Sequence, residues 1–140
     1  MKKILFTILI CLIFSSVIIA QDKKNVGMGK IYFLRSTGFA GSALSMKTFI
    51  DRAFVCKLNN KKYSIHEVTA GKHKCSAQFG KKKYNKAAVE IEVFVEPGKI
   101  TYVQLLYKIQ FLEDNIYCGE LNEIEAKIKM ENMNQDTKCQ

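Results

Sequence analysis

The hydrophobic positions of this chain change their spacing twice. They run almost unbroken from Ile4 to Ile19, fall into short alternating stretches from Lys30 to about Phe111, and recur at helical spacing after Leu121. Alternation between turn residues is the mark of half-buried strands, so the long middle section predicts an all-β domain. Lys30 to Arg35 predicts the first strand, and Ser36 to Ser42, with Gly38 and Gly41, a loop. Met46, Thr48, Ile50, Phe54, Cys56 and Leu58 share one parity, interrupted by Asp51 and Arg52, which predicts two strands or one strand bent in the middle. Asn59 and Asn60 follow as a hairpin signal, because asparagine tolerates positive φ.

Lys62 to Val68 and Lys72 to Phe79 predict two further strands around a turn at Ala70 and Gly71. Val89, Ile91, Val93 and Val95 then alternate with Glu90, Glu92 and Glu96, the clearest half-buried strand in the chain. Pro97 and Gly98 fit the centre of a type II turn, after which Ile100 to about Phe111 reads as a long apolar strand. Leu121, Ile124, Ile128 and Met133 predict a short amphipathic helix over Asn122 to Met133 that covers the sheet, with early glutamates and later lysines matching the helix dipole. The expected architecture is mainly β: an antiparallel β-sandwich of about seven strands, immunoglobulin- or transthyretin-like, with a short C-terminal helix. It spans residues 29–133, after a flexible segment at 21–28 and before a frayed tail at 134–140.

The opening section reads differently. Lys2 and Lys3 precede an apolar run of about 16 residues that ends at Ala20, the pattern of a secretory signal peptide over residues 1–20. Ala20 suits the position before cleavage, although Ile18 is bulkier than the usual small residue. A retained anchor is the alternative, and lipidation at Cys11 is disfavoured by the isoleucine before it. The expected location is therefore periplasmic or secreted, with no transmembrane domain after cleavage. Loss of the leader leaves Cys56, Cys75, Cys118 and Cys139, an even set in a disulfide-permissive compartment. A bond between Cys56 and Cys75 is one expectation, and two small buried hydrophobes is the other.

Several segments, in this order, resemble one family. Tyr32 to Arg35, Gly41 to Leu44, the Asp51 to Tyr63 hairpin with Val55 and Leu58, Val68-Thr69-Ala70-Gly71-Lys72-His73, and Val95-Glu96-Pro97-Gly98-Lys99-Ile100-Thr101-Tyr102-Val103 carry the likeness. Over about Gly29 to Met130 the chain resembles the bacterial domain-of-unknown-function family 2846, itself similar to PEGA-type and transthyretin-like sandwiches of exported proteins. The chain departs from the family where Arg52 stands in place of a turn glycine after Asp51. The resemblance implies an exported sandwich with no established chemistry and no catalytic residues to transfer.

The residues themselves agree that chemistry is sparse. His66 and His73 are the only histidines, and no nucleophile elbow, zincin, Walker or dinucleotide-binding motif occurs. No enzyme activity and no cofactor are expected. A metal site from His66, His73 and Cys75, or a ligand cleft from Tyr32, Phe33, Tyr102 and Tyr107, forms the alternative reading of a small-ligand or metal-binding module. Core packing is the favoured role of all of these.

Charge is the most informative surface feature. The chain carries a formal +9, and residues 61–86 hold eight lysines against Glu67 alone. Elsewhere beyond the leader, bases and acids balance. Two roles are open to these lysines. If Lys72 to Phe79 pairs antiparallel with Val89 to Val95, Lys74 falls near Glu92 and the strand lysines are neutralised across the sheet. That pairing leaves Lys81, Lys82, Lys83 and Lys86 unmatched, as a contact for an anionic envelope component or protein partner. Nucleic acid is not an expected partner of an exported protein. The function expected is thus a non-catalytic, exported accessory or interaction domain of the bacterial envelope or secreted space.

Overall fold

The computed structural model describes residues 27–39, 41–81, 83–109 and 114–139, with the side chains of 109, 114 and 115 left out. The expected signal peptide, Cys11 and most of the segment at 21–28 lie outside these residues. Met28, however, already belongs to the first strand.

Among the described residues the strands are β1 (Met28–Arg35), β2 (Met46–Ile50), β3 (Ala53–Leu58), β4 (Lys62–Thr69), β5 (Gly71–Gln78), β6 (Glu90–Val95), β7 (Ile100–Ile109), β8 (Asp114–Leu121) and β9 (Asn134–Gln135), and the helix α1 (Glu123–Met130) precedes β9. They form a five-stranded sheet in the order β8-β7-β1-β4-β9 and a four-stranded sheet in the order β3-β2-β5-β6. Ile31 and Phe33 of β1, Val103 and Leu105 of β7 and Ile116 and Cys118 of β8 share one buried cluster with Met46, Leu58, Cys75, Ala77, Val93 and Val95 of the other sheet. One core therefore lies between the two sheets, built wholly from residues 31–118 and flanked by Cys139.

Local turn chemistry decides where the chain bends. Asp51 and Arg52 both take positive φ, 50° and 67°, and join Ile50 to its partner Ala53 in a two-residue hairpin. Such a turn follows the right-handed twist of the strands, and it places Arg52 in the conformation that glycine adopts without strain. The Pro97-Gly98 turn is closed by the Lys99 amide donating to the Glu96 carbonyl, with Gly98 at φ 72°.

The turns at 59–61, 70 and 96–99 are not hairpins. Each carries the chain from one sheet to the other, since β3 and β4, β4 and β5, and β6 and β7 lie in different sheets. The excursions return β7 alongside β1 in the same direction, so this pair is parallel, as is β4 with β9, while the remaining pairs are antiparallel. Two strands exceed the seven expected. β8 completes a hairpin with β7, and β9 turns part of the expected frayed tail into the fifth strand of the first sheet, beside β4.

The expected helix is present but shorter and rotated. Asn122 is its N-cap, its side chain accepting from the Glu125 amide at 2.9 Å, and Glu123 pairs with Lys127 one turn on at 2.7 Å. Ile124 and Ile128 face solvent, and Ala126, Met130 and Met133 pack instead on Leu34, Tyr32, Tyr63 and Tyr102 of the outer sheet face. Ala126 is small enough to bring the helix close to these rings, which fixes its phase two residues away from the isoleucine stripe.

Cys56 is bonded to Cys139, and Cys75 and Cys118 are buried thiols. The expected Cys56–Cys75 bond is replaced, for a geometric reason. β2 lies between β3 and β5, so Cys56 and Cys75 are two strand spacings apart, about 10 Å, beyond the reach of a disulfide. Burial pushes the Cys118 thiol up to about 12 and raises that of Cys75 further.

Candidate functional site

Register places four connections at one end of the sheets. Arg35 pairs with Lys62, Met46 with Leu58, Lys47 with Gln78, and Ile109 with Asp114. The β1–β2 loop, the β3–β4 turn, the β5–β6 loop with its lysines and the β7–β8 connection all leave from this end.

The basic loop is anchored by one side chain. The Gln78 amide nitrogen donates to the carbonyls of Lys81 and Lys83 at 2.9 and 2.7 Å, and its oxygen accepts from the Asn85 amide at 2.8 Å. Holding the backbone inward at three points leaves Lys81, Lys83 and Lys86 exposed. Tyr84 fixes the far side, donating to Glu90 at 2.6 Å while its ring meets Phe49 edge-on and lies under Arg52.

Cross-strand neutralisation accounts for the strand lysines. β5 and β6 pair antiparallel with Lys74 opposite Glu92, the register the alternation predicts. The contacts run diagonally, with Lys72 on Glu92 at 2.7 Å, Lys74 on Glu90 at 3.6 Å, and Arg52 on Glu90 at 2.9 Å. Hydrogen bonds from Arg52 and Tyr84 pull the Glu90 carboxyl down to about 2. Among the described residues, Lys81, Lys83 and Lys86 form no ion pair. Lys82 lies outside the described residues.

No protein-family model, curated protein or solved structure matches this chain. Its site is therefore read from its own geometry. The residues of the ligand and metal alternative are distributed through the fold rather than gathered. Tyr32 and Tyr102 pack beneath α1, Phe33 lies in the inter-sheet core, and Tyr107 meets Phe79 edge-on at 5.5 Å. Among the described residues no three His, Cys, Asp or Glu side chains converge. A cleft of about 360 Å³ beside the disulfide is lined by Phe54, Lys57, Asp136 and Lys138 among others, at the far edge of β3 from β2.

The two histidines carry opposite electrostatics. His73 places Nδ1 2.6 Å from Asp51 Oδ2 and Nε2 2.7 Å from the Thr69 carbonyl. Both partners only accept, so the ring satisfies them as the doubly protonated imidazolium. Burial opposes that charge, but the Asp51 hydrogen bond, the Thr69 carbonyl and the Asp51 charge outweigh it and raise the pKa. His66, buried with Nε2 2.9 Å from Ser64 Oγ, has no charged partner among the described residues, and burial lowers its pKa to about 4.

Linkage gives each histidine its own pH window. The raised His73 pKa contributes stability fully present below about pH 6.5 and lost as pH rises through the folded value. The lowered His66 pKa contributes stability present above about pH 6.5 and lost as pH falls through about 4, on the order of 3 kcal/mol. Urea unfolding of His66→Gln between pH 7 and pH 4 is expected to remove most of that acid limb, and an unchanged limb would assign it elsewhere. The alkaline limb is expected to flatten in Asp51→Asn.

Proposed function

We propose that this chain is a non-catalytic, exported accessory domain of the bacterial envelope or secreted space, a transthyretin-like sandwich of the family 2846 kind, that docks on an anionic partner through its basic loop. The observation that carries this reading is the contrast within one run of lysines. Those on the strands are neutralised by Glu90 and Glu92, whereas Lys81, Lys83 and Lys86 are held out on a loop pinned by Gln78. A loop serving solubility alone has no use for three hydrogen bonds that fix its backbone. The long-range attraction of such a loop is screened beyond about 10 Å at ordinary ionic strength, which makes it testable.

Export is supported by the basic-apolar leader and by the Cys56–Cys139 bond, since structural disulfides persist in oxidising compartments. Among the described residues no helix is long and apolar enough to cross a membrane. The motif order and the two face-to-face sheets support the family assignment.

The test is binding of the chain from Gln21 to two anionic probes, phosphatidylglycerol vesicles and a carboxylated polysaccharide, over a salt series. Substituting glutamine at Lys81, Lys82, Lys83 and Lys86 is expected to abolish binding that wild type shows at low salt and loses at several hundred millimolar. Binding to either probe that survives both high salt and the substitutions would overturn the proposal, as would binding to neither probe.

A further inference from the structure

The end of the molecule that carries the basic loop also carries the most exposed aromatic side chain among the described residues. Phe39 is 98% exposed, and Leu44 and Val89 nearby in the connections are 55% and 43% exposed. A single exposed apolar residue is ordinary. A phenylalanine fully in water at the tip of a braced loop is not accounted for by packing.

The bracing is extensive. Asn60 accepts from the Thr37 amide at 2.9 Å and donates to the Gly38 carbonyl at 3.2 Å, on either side of the backbone leading to Phe39. Beyond Phe39, the buried Arg35 donates to the Gly41 carbonyl at 2.7 Å. Gly41 sits at φ 72°, where a side-chain Cβ would fall 3.0 Å from the Tyr107 ring. That same ring packs on Phe79 at the root of the basic loop, and Lys47, just beyond Leu44, pairs with Gln78. The apolar tip and the lysine loop are thus mounted on one frame.

We propose that this end of the protein is a membrane-docking surface, in which Phe39 and Leu44 insert into the interface of an anionic lipid bilayer while Lys81, Lys83 and Lys86 contact its headgroups. The proposal rests on the docking function above and names its partner. Charge complementarity favours a lipid surface. The β1–β2 loop is uncharged, the β3–β4 and β5–β6 connections bear lysines without acids, and Asp136 is matched by Lys62 at 3.7 Å. By sequence alone the span between β7 and β8 holds one acid, Glu113, and β8 begins at Asp114. A hydrated polysaccharide offers nothing for Phe39 to enter, whereas a bilayer interface takes an aromatic ring and is held by two weak signals together. Each lysine near an anionic surface strengthens binding about fivefold, and burying the apolar pair about tenfold or more.

The chain has no tryptophan, so Phe39→Trp supplies a single reporter at the tip. Residues 27–139 close their own core, and the chain from Gln21 is used. With vesicles of phosphatidylcholine and phosphatidylglycerol, the reporter's emission is expected to shift to the blue, and with phosphatidylcholine alone it is expected to stay unshifted. Phe39→Ser combined with Leu44→Ser is expected to weaken vesicle binding about tenfold or more, with an unchanged melting temperature because both side chains are exposed. An unshifted reporter, or wild-type affinity in the double serine variant, overturns insertion. Salt-sensitive binding to the carboxylated polysaccharide alone also overturns the lipid proposal, yet leaves the broader docking function standing. Vesicle binding indifferent to the lysine substitutions removes both.

Discussion

Reduction of the Cys56–Cys139 bond is expected to lower the unfolding free energy by about 4 kcal/mol, and Cys139→Ser to do the same without further response to reductant. The bond closes a loop across a sequence separation of 83 residues. Chain-entropy reasoning for a loop of that length gives about 4 to 5 kcal/mol of constraint on the unfolded chain. The native state gains as well, because the bond holds a segment with little apolar surface of its own. Asp136 donates its amide to the Tyr63 carbonyl at 2.8 Å, the Asn134 amide donates to Lys61 at 3.1 Å, and Met133 reaches the cluster beneath α1. Urea denaturation with and without dithiothreitol checks the prediction. A midpoint indifferent to reductant in the wild type would show that β9 holds by itself. Cys75 and Cys118 provide an internal control. Buried and with raised thiol pKa values, they should resist alkylation until the core opens, and their labelling should follow global unfolding.

That cysteine pairing marks the boundary of what the sequence discloses. Parity says which side of a strand Cys56 and Cys75 occupy, but not that β2 comes between them. The same holds for the turns at Asn59-Asn60 and Ala70-Gly71. Local residue chemistry identifies a reversal, and only the competition among strands for partners decides whether the chain re-enters its own sheet or crosses to the other. Where pattern and partner coincide, the reading is close: the Asp51-Arg52 turn, the β5–β6 register with Lys74 opposite Glu92, and the Pro97-Gly98 turn all follow from residues within a few positions.

β8 carries only a faint strand pattern. Ile116 and Cys118 alternate inward, but Gly119 and the polar residues around them dilute the pattern, and the helical spacing from Leu121 draws attention past it. β9, of two residues, has no period to find. In the helix, Ile124 and Ile128 carry the larger hydrophobicity, yet the close contact goes to Ala126, because a small residue lets the backbone approach the tyrosine layer. At the candidate site the lysines stand out in the sequence, whereas Gln78 and Phe39 do not. A strand glutamine gives no sign that it will hold a loop, and a phenylalanine inside the expected Ser36 to Ser42 loop gives no sign of whether it folds back on the core or stands in water.

Replacing Arg35 by methionine is expected to cost about 3 kcal/mol, and to loosen the surface on which docking depends. Arg35 is fully buried, and its guanidinium donates to the carbonyls of Leu58 at 2.6 Å and Gly41 at 2.7 Å. Among the described residues neither bond goes to a carboxylate, and Nε has no acceptor at all. Burial therefore works against the charge and lowers its pKa. Two terms oppose each other in the variant. Losing the cation relieves its desolvation, while two carbonyls lose their donors at about 1 to 3 kcal/mol each and the shorter side chain leaves space behind. The second term wins, because both carbonyls lie, buried or half-buried, at the junction of the end of β3 with the β1–β2 loop, which the Asn60 contacts to Thr37 and Gly38 then hold without the guanidinium. Arg35→Lys keeps the charge but has a single ammonium where a fork spans two acceptors, so it is expected to recover only part of the loss. Urea unfolding measures the stability, and limited proteolysis within 36–45 measures the loop. Vesicle binding should fall in Arg35→Met even though Phe39 and every lysine are intact, since an unbraced tip must be ordered at the moment of contact. Wild-type stability in the methionine variant would mean that desolvation of the cation cancels its hydrogen bonds, leaving Asn60 as the brace that presents Phe39.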